Sequence, residues 1–165
     1  MAPVKPRTIP KIWVEDGVVR LSGDYQGQLR DLFGVETKPA AVALVEHCIN
    51  LSGTQDKTLK DANSAMALVA ELAPTGAVEA MLATQMASVH IAMMRFSGLL
   101  ASAENAVQFE IYERAFTKLA RTFSVQIEAL RKHRSGGTQV VVVKHVRVEA
   151  GGQAIVGNVT KGGEG

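Results

Sequence analysis

A single cysteine, Cys48, leaves this 165-residue chain no internal disulfide and no multi-cysteine metal site. The compartment this implies is the reducing cytoplasm. Aromatic residues make up only 5%, so a core has to be built from Ala, Val, Leu and Met, whose small side chains let helices approach closely. A dominant charge is missing too. Eighteen basic residues face 16 acidic ones, a net charge of +2, which leaves any pull toward nucleic acid or membrane to a local patch. No window reaches the ~18 uninterrupted apolar residues of a membrane span, since Gln85, His90 and Arg95 break the best candidate, and no membrane partner is expected. The N-terminal residues carry charge and proline where a signal peptide needs an apolar run, and residues 1–11 read as a flexible arm.

Chemical motifs are equally scarce. His47, His90, His133 and His145 have no second His, Cys or carboxylate at a recognised ligand spacing. His47 and Cys48 are sequence neighbours, but adjacent helical positions point about 100° apart, and a lone Cys is more often a small buried thiol than a nucleophile. The Gly136-Gly137 and Gly151-Gly152 pairs lack the lysine and spacing of a phosphate loop and serve as turns. Met81, Met86, Met93 and Met94 fall at helical spacing, which favours core packing over an adaptable partner surface. The expectation is therefore no enzyme, no cofactor and no metal.

What is present is a hydrophobic content of 47% and enough length for one domain, expected over residues 12–160. Residues 12–73 are expected to hold a hairpin and packing helices. Asp16-Gly17 between two β-prone runs predicts the hairpin, the alternative being a loop in which Trp13 plugs a hydrophobic gap. A weak helix follows over 24–33, with Gly34 as its stop. Pro39 suits the first turn of the next helix, which runs to Gly53, and a further helix over 58–72 ends at Pro74.

Residues 75–134 predict a helical hairpin. Leu82, Met86, Val89, Met93, Phe96 and Leu100 alternate four and three residues apart, and so do Phe109, Tyr112, Phe116, Leu119, Phe123, Gln126 and Leu130. Both runs have coiled-coil seam spacing, and the short connection at 101–105, with Ser102 as a candidate cap, favours antiparallel pairing. Gln126 either fixes register within the seam or snorkels at its edge. Residues 138–160 predict a C-terminal β-hairpin, with Val140, Val142, Val146 and Val148 on one face and Ile155 in its second strand. These five are the candidate oligomer interface, because two strands alone are marginal and other copies of the chain, or the Trp13 hairpin, could complete the sheet. The tail, 161–165, reads as disordered.

One patch could touch nucleic acid: Lys118, Arg121, Arg131, Lys132 and Arg134 on the last helix, with Lys144 and Arg147 beyond it. Repeated around a ring, such a stripe would contact phosphates without reading sequence. The plainer reading is a solvated face whose basic end, with His133, complements the helix dipole.

The segments AVEAMLATQMASVH (77–90), RAFTKLARTF (114–123), QIEALRK (126–132) and GGQAIVGNV (151–159) resemble a family of short proteobacterial proteins, some of prophage origin. The resemblance spans residues 75–160 and carries over no activity and no functional residue. In architecture the chain is also similar to phage small terminase subunits, which join an oligomerising helical hairpin to a β segment and act in DNA packaging. Those begin with a basic helix-turn-helix, where this chain has a proline-rich arm.

The sequence thus predicts an α+β, mostly α fold: an antiparallel helical hairpin with heptad-like seams followed by a C-terminal β-hairpin. Its expected role is a non-enzymatic, cytoplasmic, homo-oligomeric assembly or adaptor protein of phage-related origin. The partners are self and, through the basic stripe, nucleic acid, or another phage or bacterial protein. The alternative is a protein-binding module that captures a strand on an exposed β edge.

Overall fold

The computed structural model of the protein describes residues 7–23, 25–52 and 58–136. The chain opens on two strands, β1 (Ile12–Glu15) and β2 (Val18–Leu21), paired antiparallel with Ile12 opposite Leu21 and Glu15 opposite Val18. Asp16 and Gly17 both take positive φ, 52° and 75°, as a two-residue type I′ turn requires. The hairpin is therefore formed, and the loop alternative falls.

A two-stranded hairpin needs a surface to lie on. Ile12 is fully buried, and the side-chain amide of Asn63 replaces the missing third strand. Its Oδ1 accepts from the Ile12 N–H at 3.0 Å while its Nδ2 donates to the Ile12 carbonyl at 2.7 Å. This satisfies the outward-facing N–H and carbonyl of Ile12 without another strand.

Five helices follow: α1 (Tyr25–Phe33), α2 (Lys38–Ile49), α3 (Lys60–Leu72), α4 (Ala77–Ala101) and α5 (Ala106–Arg134). Gly34 ends α1 at φ 63°, with the Val35 N–H bonded back to the Arg30 carbonyl at 3.1 Å, and Pro39 sits in the first turn of α2. One core holds Ile12, Leu29, Leu32 and Phe33 with Leu44, Val45, Cys48, Met66 and Val69, and α4 closes it with Ala80, Ala83, Ala87 and Ile91. Alanines on that face allow close helix approach, as the aromatic-poor composition anticipates.

The α3–α4 junction, residues 72–75, collects contacts from distant parts of the chain. Pro74 is fully buried. Arg7 donates to the Leu32 carbonyl at 2.6 Å and to the Pro74 carbonyl at 2.9 Å. Arg134 donates to the Leu72 carbonyl at 2.6 Å, and the Thr75 N–H donates to Glu79 at 3.2 Å. Helix ends leave carbonyls and N–H groups without intrahelical partners, and here side chains from residues 7, 79 and 134 supply them.

The fold class differs from the sequence expectation. The described chain is mostly helical with a two-stranded antiparallel sheet near the N-terminus, rather than a helical hairpin followed by a C-terminal β-hairpin. Residues 138–160 lie outside the described residues, and with them the expected interface valines. Valine alternation reports a local β tendency without identifying a surface for the strands to cover, whereas the N-terminal hairpin has that surface in α3. A second correction concerns capping. Asn105, not Ser102, caps α5, its Oδ1 accepting from the Gln108 N–H at 2.9 Å; Ser102 ends α4, its hydroxyl donating to the Gly98 carbonyl at 3.1 Å. A third concerns apolar length. α4 is long and apolar enough, by length and composition alone, to cross a membrane; here it packs on α2 and α3 along one face and on α5 along another.

A Cβ at Gly34 would collide with the Pro74 carbonyl, while nothing lies within 4 Å of one at Gly17. Gly34→Ala is therefore expected to lose about 2–4 kcal/mol from overpacking and left-handed strain together. Gly17→Ala is expected to lose only about 1–2 kcal/mol, from strain alone. Urea unfolding midpoints of the two variants check the order.

Candidate assembly surface and basic stripe

Helix α4 has three kinds of face. Ala80, Ala83, Ala87 and Ile91 are buried against the body. Leu82, Met86, Val89, Met93, Phe96 and Leu100 form the expected seam toward α5, and Val78, Met81 and Leu99 are exposed. The seam pairing is antiparallel: Glu79 meets Arg134, the His90 ring lies tilted against Phe123 with centroids 5.9 Å apart, and Phe96 against Tyr112 at 6.3 Å. The methionines divide between these faces. Met86 is buried and Met93 half-buried, but Met81 and Met94 are exposed, so the stretch is not wholly a core one.

Helix α5 runs 29 residues, roughly 43 Å at 1.5 Å per residue, yet Leu130 alone of its residues is buried. Tyr112, Phe116, Leu119 and Phe123 are half-covered by α4, and Phe109 is exposed. On the opposite face a second heptad row carries Val107, Ile111, Arg114, Lys118, Arg121 and Val125, with Val107 67% and Val125 68% exposed. Gln126 does not snorkel. Its Oε1 is buried with no hydrogen-bond partner among the described residues, beside an open groove of about 490 Å³ lined by His47, Thr84, Gln85 and Ser88.

The structure divides the basic residues. Lys118, Arg121 and Lys132 lie exposed on the outer face of α5, with no ion pair among the described residues. Arg131 is held by Glu128 at 2.8 Å one turn back. Arg134 turns inward to Glu79 at 2.9 Å and the Leu72 carbonyl. The stripe within α5 is therefore three free cations, not five, and Lys144 and Arg147 lie outside the described residues.

Glu79 is buried yet charged. The hydrogen bond from Arg134 holds its carboxyl below the ordinary value of 4.5, outweighing the upward push of burial, and the Thr75 N–H adds to the effect. His133 Nε2 approaches the other carboxylate oxygen at 4.0 Å. Burial alone pushes the Cys48 thiol up to about 12, which makes it a packing residue and a poor nucleophile. Among the described residues no three His, Cys, Asp or Glu side chains converge as a metal site.

Sequence reasoning missed the partners that fix this arrangement. Asn63 has the appearance of an ordinary helix residue. Arg95 has that of an interruption in an apolar helix, but it bridges to Asp61 and donates to the Leu51 carbonyl at 2.7 Å. Glu79 carried one available signal: an acidic residue in the first turn of a helix, three positions after its cap, is placed to accept an N–H from the preceding turn.

Because the folded Glu79 carboxyl is more acidic than the unfolded one, its contribution is fully present above about pH 4.5 and is lost as pH falls through its folded value. Glu79→Gln is expected to destabilise the protein by about 1–2 kcal/mol at pH 7, and the two proteins should converge on acidification. Thermal melts from pH 7 down to pH 3 check this; a gap that stays constant with pH would contradict it. Comparison with protein-family models, curated proteins and solved structures finds no match, so the geometry of this chain is what bears on its role.

Proposed function

We propose that the protein is a non-enzymatic homo-oligomeric assembly or adaptor protein, of the phage-related kind that its sequence resembles, with the α4–α5 hairpin as its assembly element. One observation carries the reading: α5 has a long apolar seam, interrupted by Gln126, and a second partly apolar face, yet buries one residue. A helix of this kind owes its stability to packing, and a single neighbour covers only part of it. Exposed Val107, Phe109, Ile111 and Leu99 cluster toward the hairpin turn, where further helices would cover them.

Contact with nucleic acid is the second clause, with DNA packaging as the process suggested by the small-terminase likeness. Lys118, Arg121 and Lys132 carry it, since their charges are free to meet phosphates. The strand-capture alternative has its own support in β2, whose outer edge has no neighbour among the described strands and whose Val18 and Val19 are exposed.

Native mass by light scattering is expected to show a discrete multimer of the 17.6 kDa chain; a monomer at all concentrations overturns the assembly reading. DNA binding, measured by fluorescence anisotropy across a salt series, is expected to weaken with salt. Replacing Lys118, Arg121 and Lys132 by Gln should lower the log–log slope by about 0.9 for each phosphate that is no longer neutralised. Binding that ignores both salt and these three residues removes the nucleic-acid clause and leaves assembly intact.

A further inference from the structure

We propose that the groove between α3 and α4 receives the outer face of α5 from a second copy of this chain, near the hairpin turn. This rests on the assembly reading and names the two surfaces that meet. The groove has a volume of about 630 Å³ and is lined by Ile9, Ser64, Leu68, Ile91 and Met94, with Asp61 and Glu71 among its polar residues. Ile9, Leu68 and Met94 are large apolar side chains left exposed, Met94 to 45%. They form a strip that helices α3 and α4 flank but do not cover.

Charge identifies the occupant. Asp61 is already paired with Arg95, but Glu71 is exposed and has no ion pair among the described residues. His90 and Arg95 line the groove as well, and with Arg95 held by Asp61 one unneutralised acid, Glu71, is left near the end of α3. The outer row of α5 has the complementary pattern: Val107 and Ile111 are apolar and exposed, Arg114 is paired with Glu110, and Lys118 has no ion pair among the described residues. Ile111 and Lys118 are seven residues apart, about 10 Å along a helix. Leu68 and Glu71 are adjacent on one face of α3, one turn apart. Laying Ile111 over Leu68 and Met94 brings the Lys118 ammonium, on its long stem, within reach of Glu71. The apolar surface left bare on each side is covered, and each free charge gains an opposite partner.

The two surfaces differ, and each copy offers both. Two copies can exchange groove and ridge across a twofold axis, or successive copies can add head-to-tail until a ring closes or a filament grows.

Sedimentation velocity on the full chain tests the pairing. Glu71→Lys and Lys118→Glu each place like charges face to face and are expected to weaken association at least about tenfold at low salt. Both are exposed positions, and melting temperatures check that each variant stays folded. Mixing the two variants in equal amounts, or combining them in one chain, restores opposite charges at the contact and should restore association. Ile111→Asp should abolish it. A wild-type multimer that none of these changes disturbs, or that the combined variant fails to restore, overturns the groove-and-ridge contact while leaving oligomeric assembly standing. A wild-type monomer overturns both.

Discussion

The junction between α3 and α4, residues 72–75, leaves helix-end polar groups that its own backbone does not satisfy, and distant parts of the chain converge on it to do so. Two carbonyls and one N–H at this junction are met by Arg134, Arg7 and Glu79. Ala73 takes the left-handed conformation at φ 47°, and Gly34 brings the end of α1 close enough that no side chain fits between. These groups lie at part-buried or exposed positions, so each contact is worth on the order of 0.5–1.5 kcal/mol, rising toward ~3 kcal/mol where the donor or acceptor is charged. They tie residues from the start, middle and end of the described chain to a single turn. Arg134 also anchors the far end of α5, which explains why Leu130, one turn before it, is the residue of that helix that becomes buried.

Local signals were legible where local chemistry decides. The Asp16-Gly17 turn, the Gly34 stop, Pro39 at a helix start and Pro74 after a helix end each depend on the φ preferences of one or two residues, and each marks a real boundary. The seams of α4 and α5 followed from apolar spacing, and the structure pairs them antiparallel. The basic end of α5 is only partly readable, for a physical reason. A terminal arginine has the same sequence appearance whether it faces solvent, phosphate or a buried carboxylate, and only the position of Glu79, 55 residues away, separates these for Arg134. Asn63 is unreadable for the same cause, since its partner Ile12 is 51 residues distant. Between Ser102 and Asn105 the sequence offers two capping residues, and the choice turns on where α4 stops rather than on either side chain.

The candidate surfaces reflect a division of labour between helices. α2 and α3 commit most of their apolar residues to the core, Leu68 excepted, and α4 divides its own among the core, α5 and solvent. α5 packs mainly on α4, with Arg134 reaching the end of α3, so its aromatic seam is half-covered and its outer row is left to solvent. That distribution is the observation on which the proposed assembly rests. The free cations lie on the same outer row, which means that self-assembly and phosphate contact would draw on overlapping positions: Lys118 cannot neutralise a carboxylate and a phosphate at the same moment.

The amide of Asn63 has a further effect on the small sheet. By holding the N–H and carbonyl of Ile12 it obstructs the outer edge of β1, while the outer edge of β2 has no neighbour among the described strands. If two copies meet through their β2 edges, each consumes the other's free edge, and a third chain would have to displace Asn63 from Ile12 to pair along β1. One side-chain amide thus works against the runaway stacking that an uncapped β-hairpin would invite.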